Sequence, residues 1–146
     1  MNAPSQKDIF TKRYRRVKAP EASELQIHIS VVDHCRKLIK PNVVWFHCPN
    51  GEHRNKRTAA KLKAMGVRPG VADLIFIRRA PWSADCLPDV LFLELKRRGQ
   101  KQSDSQLAFE PDAKACGAQY RVADSVDVAI DILERGGWIM PLAKVA

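Results

Sequence analysis

Two apolar, strand-like runs carry ionisable residues where an ordinary buried strand would carry apolar ones. Asp73 lies in the first run, residues 70–76, and Glu94 and Lys96 lie in the second, residues 90–96. A buried charge is costly unless it is paired or serves a site. Side chains two residues apart in a strand point to the same face, so Glu94 and Lys96 emerge together. If the two runs pair as a hairpin, Asp73 lies beside them.

This grouping predicts a particular chemistry. Two carboxylates and an ammonium on one face indicate a site for a hard divalent cation next to a positioned water, which is what hydrolysis of a phosphodiester requires. In this interpretation Asp73 and Glu94 are metal ligands, and Lys96 orients the attacking water and offsets phosphate charge. The alternative is an ion pair on an exposed sheet face, which the apolar neighbours of the three residues disfavour.

The chain is also strongly basic. Its 146 residues include 25 Lys and Arg against 16 Asp and Glu, a formal net charge of +9. Such a balance favours a polyanionic partner, and we expect DNA. A solvated basic surface and affinity for a membrane surface are the alternatives. The predicted contacts to DNA phosphates are Arg54, Lys56, Arg57, Lys61, Lys63, Arg97 and Arg98.

Other classes of protein find little support in the sequence. The four cysteines are far apart and form no Cys-x-x-Cys pair, which argues against a disulfide framework and a zinc knuckle. His47, Cys48 and His53 lack a fourth zinc ligand at a sensible spacing. No apolar stretch approaches the roughly 20 residues that span a bilayer, and the N-terminus lacks the apolar centre of a signal peptide. We therefore expect a soluble, intracellular protein.

The order of predicted elements defines the fold class. Residues 1–20 form a basic arm without periodicity, which we expect to be flexible. After it, the order helix, strand, helix, strand, strand, helix, strand, helix predicts an α/β domain with a mixed sheet flanked by helices. Ser23 is the predicted N-cap of a helix from residue 24 to about 40. Pro111 is expected to kink or split the third helix, and residues 78–89 form a long connection between the two charged strands.

Five motifs in this order resemble a stand-alone VRR-NUC domain, the virus-type replication-repair nuclease branch of the PD-(D/E)xK nucleases. The motifs are His47-x-Pro49-Asn50-Gly51-Glu52, Lys63-x-x-Gly66-Val67-x-x-Gly70-Val71-x-Asp73-Leu74, Leu93-Glu94-x-Lys96, Ser103-x-x-Gln106 and Gly117-Ala118-x-Tyr120-x-Val122. The similarity covers roughly residues 24–133. Ala72 replaces the proline that names the superfamily, but that proline supplies backbone shape and no ligand.

The resemblance implies a restriction-endonuclease-like core within residues 21–146 and a Mg²⁺-dependent endodeoxyribonuclease, with Mn²⁺ able to substitute. It adds the backbone carbonyl of Leu95 to the metal ligands and places Glu24 near a second metal or its water. It also implies that Gln106 helps to orient the water and the lysine. For Glu24 a favourable interaction with the helix dipole is an equal alternative, and for Gln106 the alternative is an ordinary surface position.

The resemblance further implies a substrate and an assembly. The substrate is branched DNA, such as four-way junctions or flaps, in viral or phage-type replication and repair in the cytoplasm of a bacterial or phage-infected cell. The assembly is a homodimer that places two active sites against two strands. Rival functions are a nucleic-acid-binding module without catalysis and a restriction-type nuclease that cuts one sequence. Candidate interface residues, which could instead cap their own domain, are Trp82, Leu87, Trp138, Ile139 and Met140.

Overall fold

The computed structural model describes residues 21–49, 56–81, 84–85 and 87–142. In this part of the chain, helices and strands follow one another in the predicted order. The predicted arm, residues 1–20, lies outside the described residues. The elements are α1 (Glu24–Leu38), β1 (Val43–His47), α2 (Lys56–Ala64), β2 (Leu74–Arg79), β3 (Pro88–Leu95), α3 (Asp104–Ala115), β4 (Gln119–Ala123) and α4 (Val126–Arg135).

The described strands form one mixed sheet in the order β1-β2-β3-β4. The first three strands are antiparallel and β4 runs parallel to β3, which confirms the predicted mixed sheet. Leu74, the first residue of β2, pairs with Leu93 of β3 and with His47, the last residue of β1. Asp73 and Glu94, the neighbours of this pair, therefore meet at the same end of the sheet, as the hairpin prediction requires.

The larger core lies between one face of the sheet and helices α1 and α4. Trp138 and Ile139, which follow α4, are fully buried in this core. Of the two alternatives given for these residues, the structure therefore favours the second: they cap their own domain and are not exposed for a dimer interface. Leu87 and Met140 remain exposed, and Trp82 lies outside the described residues.

The opposite face of the sheet packs against α3. Phe92 of β3 and Tyr120 of β4 contact Phe109 of α3, with ring centroids 5.1 Å apart for the two phenylalanines. This aromatic contact holds the helix against β3, the strand that carries Glu94. The first turn of α3 thereby lies at the end of the sheet where Asp73 and Glu94 meet.

The helix N-termini follow from the sequence, whereas the proline inside α3 does not have the effect that was expected. Ser23 and Ser103 each form a reciprocal capping box, so the predicted N-cap at Ser23 is confirmed. Pro111 lies inside a continuous α3 and does not split it. Proline removes the hydrogen bond to the carbonyl of Leu107, but both residues are exposed, so water can satisfy that carbonyl. No helix in the described part of the chain has both the length and the apolar character needed to cross a membrane.

The two central strands extend further than predicted, because Arg78 and Asp89 belong to them and not to the connection. The two residues face each other in the ladder and form a buried ion pair, with 2.9 Å between Arg78 Nη2 and Asp89 Oδ2. Gln119 Nε2 donates to the other carboxylate oxygen at 3.0 Å, and the guanidinium lies 3.9 Å from the ring centroid of Trp138. Every oxygen of the carboxylate thus has a partner.

This buried pair generates a stability prediction. We expect Asp89→Ala to lower the free energy of unfolding by about 3 kcal/mol or more, because it removes the carboxylate that pairs with the buried Arg78 guanidinium. Asp33→Ala, which removes an exposed pair with Arg36, is the matched control and should cost less than about 1 kcal/mol. Urea denaturation measures both values, and equal losses would contradict the prediction.

Candidate active site

One cavity of about 180 Å³ gathers all five predicted catalytic residues at the end of the sheet. The residues come from the start of α1, the loop before β2, the end of β3 and the first turn of α3, and they are distant in sequence. The residues that line the cavity are Glu24, Pro69, Gly70, Val71, Asp73, Glu94, Lys96, Ser103, Ser105 and Gln106.

Asp73 is held at both its side chain and its main chain. Its carboxylate oxygen Oδ2 accepts a hydrogen bond from the backbone amide of Leu95 at 2.9 Å. Its main-chain carbonyl accepts one from the backbone amide of Cys48 at 2.9 Å and one from Nδ1 of His47 at 2.8 Å. The carboxylate is consequently fixed against β3.

Glu94 is a buried carboxylate whose two oxygens differ in their hydrogen bonds. Its side chain is 1 % exposed, and Oε1 accepts hydrogen bonds from Nζ of Lys96 at 2.6 Å and from Nε2 of Gln106. The other oxygen, Oε2, is buried and has no hydrogen-bond partner among the described residues. Burial, reinforced by the nearby charge of Asp73, raises the pKa of Glu94 to about 7. Oε2 is therefore a buried acceptor that no described residue satisfies, although Lys96 and Gln106 both contact Oε1.

Lys96 is the first residue after β3, and its side chain contacts Glu94. Burial alone would lower the pKa of Lys96, but its hydrogen bond and ion pair with Glu94 outweigh this effect and raise the pKa. The charges of Glu24 and Asp73 act in the same direction. The ammonium is therefore held in its charged form, as the predicted role beside a phosphate requires.

The residues present fit a magnesium ion. In the described ranges, no group of three or more His, Cys, Asp or Glu side chains is arranged to hold a metal. Magnesium does not need such a cage, because it usually keeps several waters and takes one or two carboxylates plus a substrate phosphate. Asp73 and the unpartnered Oε2 of Glu94 supply that donor set. For Leu95, the contact that the structure shows is its amide on Asp73.

The predicted phosphate-binding residues lie in the two chain segments that follow β1 and β3, the strands that end at this end of the sheet. Helix α2 contains no acidic residue, and its chain segment leaves the sheet after His47 and returns just before Asp73. Its predicted phosphate-binding residues are all exposed: Lys56, Arg57, Lys61 and Lys63. Arg97 and Arg98 are exposed directly after Lys96, and Arg54 lies outside the described residues. These cations can guide a polyanion toward the cavity.

Sequence reasoning did not assign a role to two features of the site. Gly70 lies so close to α3 that a Cβ atom there would be 2.0 Å from the carbonyl oxygen of Ser105. His47 contacts Asp73 and packs edge-on against His28 of α1, with ring centroids 4.5 Å apart. Both Gly70 and His47 occur in the motifs quoted above. The motifs therefore pointed to these two residues, but the sequence alone did not indicate what they contact.

The mixed sheet, its flanking helices and the acidic residues at one sheet end define an α/β fold of the restriction-endonuclease-like class. The fold is similar to that of a solved structure described as a VRR-NUC domain protein, with a TM-score of 0.56 and 21 % sequence identity. The similarity covers 79 % of this chain and 88 % of that chain. No protein-family model and no curated protein matches the sequence. The chain therefore has a VRR-NUC-like fold, as its motifs predict.

The close approach of Gly70 to α3 generates a prediction. Gly70→Ala should destabilise the protein by at least about 1 kcal/mol more than Gly117→Ala, because the new Cβ forces the first turn of α3 to move. Gly117 is the matched control: it has nearly the same positive φ, 85° against 84°, but a Cβ added there would meet no atom within 4 Å. Denaturant unfolding compares the two variants, and equal losses would exclude a steric role for Gly70.

Proposed function

We propose that the protein is a divalent-metal-dependent nuclease that hydrolyses phosphodiester bonds of DNA. The observation that carries the proposal is the buried Glu94 carboxylate, which shares one oxygen with Lys96 and Gln106 and has no partner among the described residues on the other. Asp73 lines the same cavity. A metal ion held between these two carboxylates would meet the need for positive charge that burial creates.

The roles of the residues follow from their contacts. When bound, the metal would polarise the scissile phosphate and lower the pKa of a water. Lys96 lines the cavity and places a compact positive charge against Glu94. From this position it can orient the attacking water and offset phosphate charge. Gln106 fixes the rotamer of Glu94 through its amide, and Glu24 adds a third carboxylate to the cavity wall.

DNA is the proposed substrate because the chain is strongly basic and exposed cations lie in the two segments that follow β1 and β3, the strands that end at the cavity. Phosphate contacts from α2 and from Arg97 and Arg98 would position a strand without reading its sequence. Within this class we propose branched DNA, such as four-way junctions or flaps, in replication and repair. The support for branched DNA is the similarity of this chain's motifs and fold to VRR-NUC domains.

A non-catalytic DNA-binding module is the main rival, and a restriction-type nuclease is the second. Incubation of the purified protein with a panel of labelled linear, nicked, flapped and four-way DNA, with Mg²⁺, Mn²⁺ or chelator, separates the three. The proposal expects metal-dependent cutting of branched forms. Binding without cutting would favour the module, and cutting of linear duplex at one sequence would favour the restriction-type enzyme.

The metal site generates the first prediction of this section. Asp73→Asn and Glu94→Gln should each abolish cleavage and leave DNA binding within a few fold, because the two carboxylates hold metal and not phosphate. A cleavage assay under Mg²⁺ and a fluorescence-anisotropy titration without metal give the two measurements. Glu110→Gln, at a half-buried position of α3 that does not line the cavity, is the control and should keep full activity. Near-native cleavage by either site variant would show that the assigned site is wrong.

The exposed lysines of α2 generate a second prediction, which concerns DNA binding. Replacing Lys56 and Lys61 together by alanine should weaken binding to all DNA sequences alike and lower the slope of log K against log salt by about two units. Lys37→Ala with Arg36→Ala, two exposed cations at the other end of α1, is the control and should leave the slope unchanged. An unchanged slope in the α2 variant would place the DNA path elsewhere.

The third concerns assembly. Symmetric resolution of a four-way junction needs two cuts, whereas one domain presents one metal site, so we propose a two-fold dimer. Leu87 and Met140, which are 58 % and 46 % exposed, are the remaining interface candidates. Light scattering at micromolar concentration should give twice the mass of the 16.5 kDa chain. A monomer that still makes paired, symmetric cuts would contradict the dimer.

A further inference from the structure

We propose that His47 is a positioning residue that fixes the orientation of Asp73 through a hydrogen bond to its main-chain carbonyl. The bond joins His47 Nδ1 and the Asp73 oxygen over 2.8 Å. Because a carbonyl oxygen only accepts, the imidazole nitrogen is the donor and Nδ1 carries the proton. The consequence for metal binding rests on the proposed function, whereas the effect on the orientation of Asp73 does not.

Asp73 needs such a bond because it lies outside the strand ladder. Strand β2 begins at Leu74, and the pairing of β1 with β2 ends where His47 lies opposite Leu74. Within the described part of the chain, the Asp73 carbonyl is therefore bonded by two groups, the amide of Cys48 and the imidazole of His47. Without the imidazole, the Asp73 carbonyl keeps one hydrogen bond among the described residues, that from the Cys48 amide.

The carbonyl and the carboxylate of Asp73 are branches of the same Cα atom. The carboxylate is fixed on one side by the Leu95 amide, which donates to Oδ2 at 2.9 Å. The carbonyl is fixed on the other side by the end of β1. Together these contacts set both the backbone and the side-chain dihedrals, so loss of the His47 bond should loosen the Leu95–Asp73 bond across the residue.

The position of the His47 ring is itself restrained. His28, which lies one turn after Glu24 on α1, packs against it with the two ring planes at 87°. Burial, followed by the neighbouring charge of His47, lowers the pKa of His28, although Asp73 and Glu24 oppose this effect. The contact ties β1 to the helix that carries Glu24, so the His47 ring contacts both Asp73 and α1.

Two substitutions of His47 separate its donor from its ring. His47→Phe keeps an aromatic ring against His28 and removes the donor, whereas His47→Asn keeps an N–H at about the place of Nδ1 and removes the ring. His34→Ala is the matched control, because His34 Nδ1 donates to the carbonyl of Ser30 at 2.7 Å on the far part of α1. Thermal unfolding verifies that all three variants fold.

The first readout is hydrogen exchange of the Leu95 amide, followed by NMR on the full chain without metal or DNA. His47→Phe should speed its exchange by about fivefold, the equivalent of one neutral hydrogen bond. His47→Asn and His34→Ala should leave the rate near that of the unmodified protein. An unchanged rate in His47→Phe, or equal acceleration in His47→Asn, would overturn the proposal.

The second readout is Mn²⁺ binding measured by electron paramagnetic resonance without DNA. His47→Phe should weaken binding about tenfold, as loss of an outer partner of a metal ligand commonly does, and His47→Asn should restore it. Normal Mn²⁺ affinity in His47→Phe would overturn the positioning role if Asp73→Asn abolishes binding. If Asp73→Asn binds Mn²⁺ normally, the proposed metal site fails instead, and the Leu95 exchange rate still decides the role of His47.

Discussion

The structure depends on the burial of one carboxylate. Glu94 lies on β3, which has β2 on one side and β4 on the other, and its side chain is almost completely hidden from solvent. Such a charge is costly in a protein interior unless it is paired and hydrogen-bonded. Lys96 and Gln106 supply these contacts on one oxygen. The position of α3 is constrained as a result, because its first turn must bring Gln106 within reach of β3.

The remaining parts of the site follow from strand directions. Because β1, β2 and β3 are antiparallel, β1 ends, β2 begins and β3 ends at the same end of the sheet. Residues 47, 73 and 94 therefore meet there, although they are distant in sequence. Helix α1 brings its N-terminus to the same place, which adds Glu24 to the cavity wall. The two connections that leave this end carry exposed basic residues. The acidic centre and the basic surroundings therefore have a common topological origin.

Local patterns were sufficient to predict the order of the elements, because periodicity and capping are contained in short windows. The mixed sheet and the convergence of Asp73 with Glu94 depend in addition on strand pairing, and the hairpin assumed for the two charged strands is present. Three other features depend on tertiary contacts. Arg78 and Asp89 lie in strands because each neutralises the other, and Trp138 completes the core, one of the two alternatives for the tail. Pro111 does not split α3, because Leu107, whose carbonyl loses its helical hydrogen bond, is exposed. The contact of His47 could not be predicted from the sequence either, because its partner is a main-chain oxygen 26 residues away.

Comparison of the two buried ion pairs shows what separates a structural pair from a site. Asp89 has partners on both oxygens, because Arg78 contacts one and Gln119 the other, and an aromatic ring covers the guanidinium. Glu94 receives both of its partners on one oxygen, and its carboxylate lines a cavity with a second carboxylate in the wall. The first arrangement is complete and can only stabilise the fold. If the proposed metal site is right, the second arrangement would gain stability when a cation binds, because ligand binding to the folded state stabilises that state.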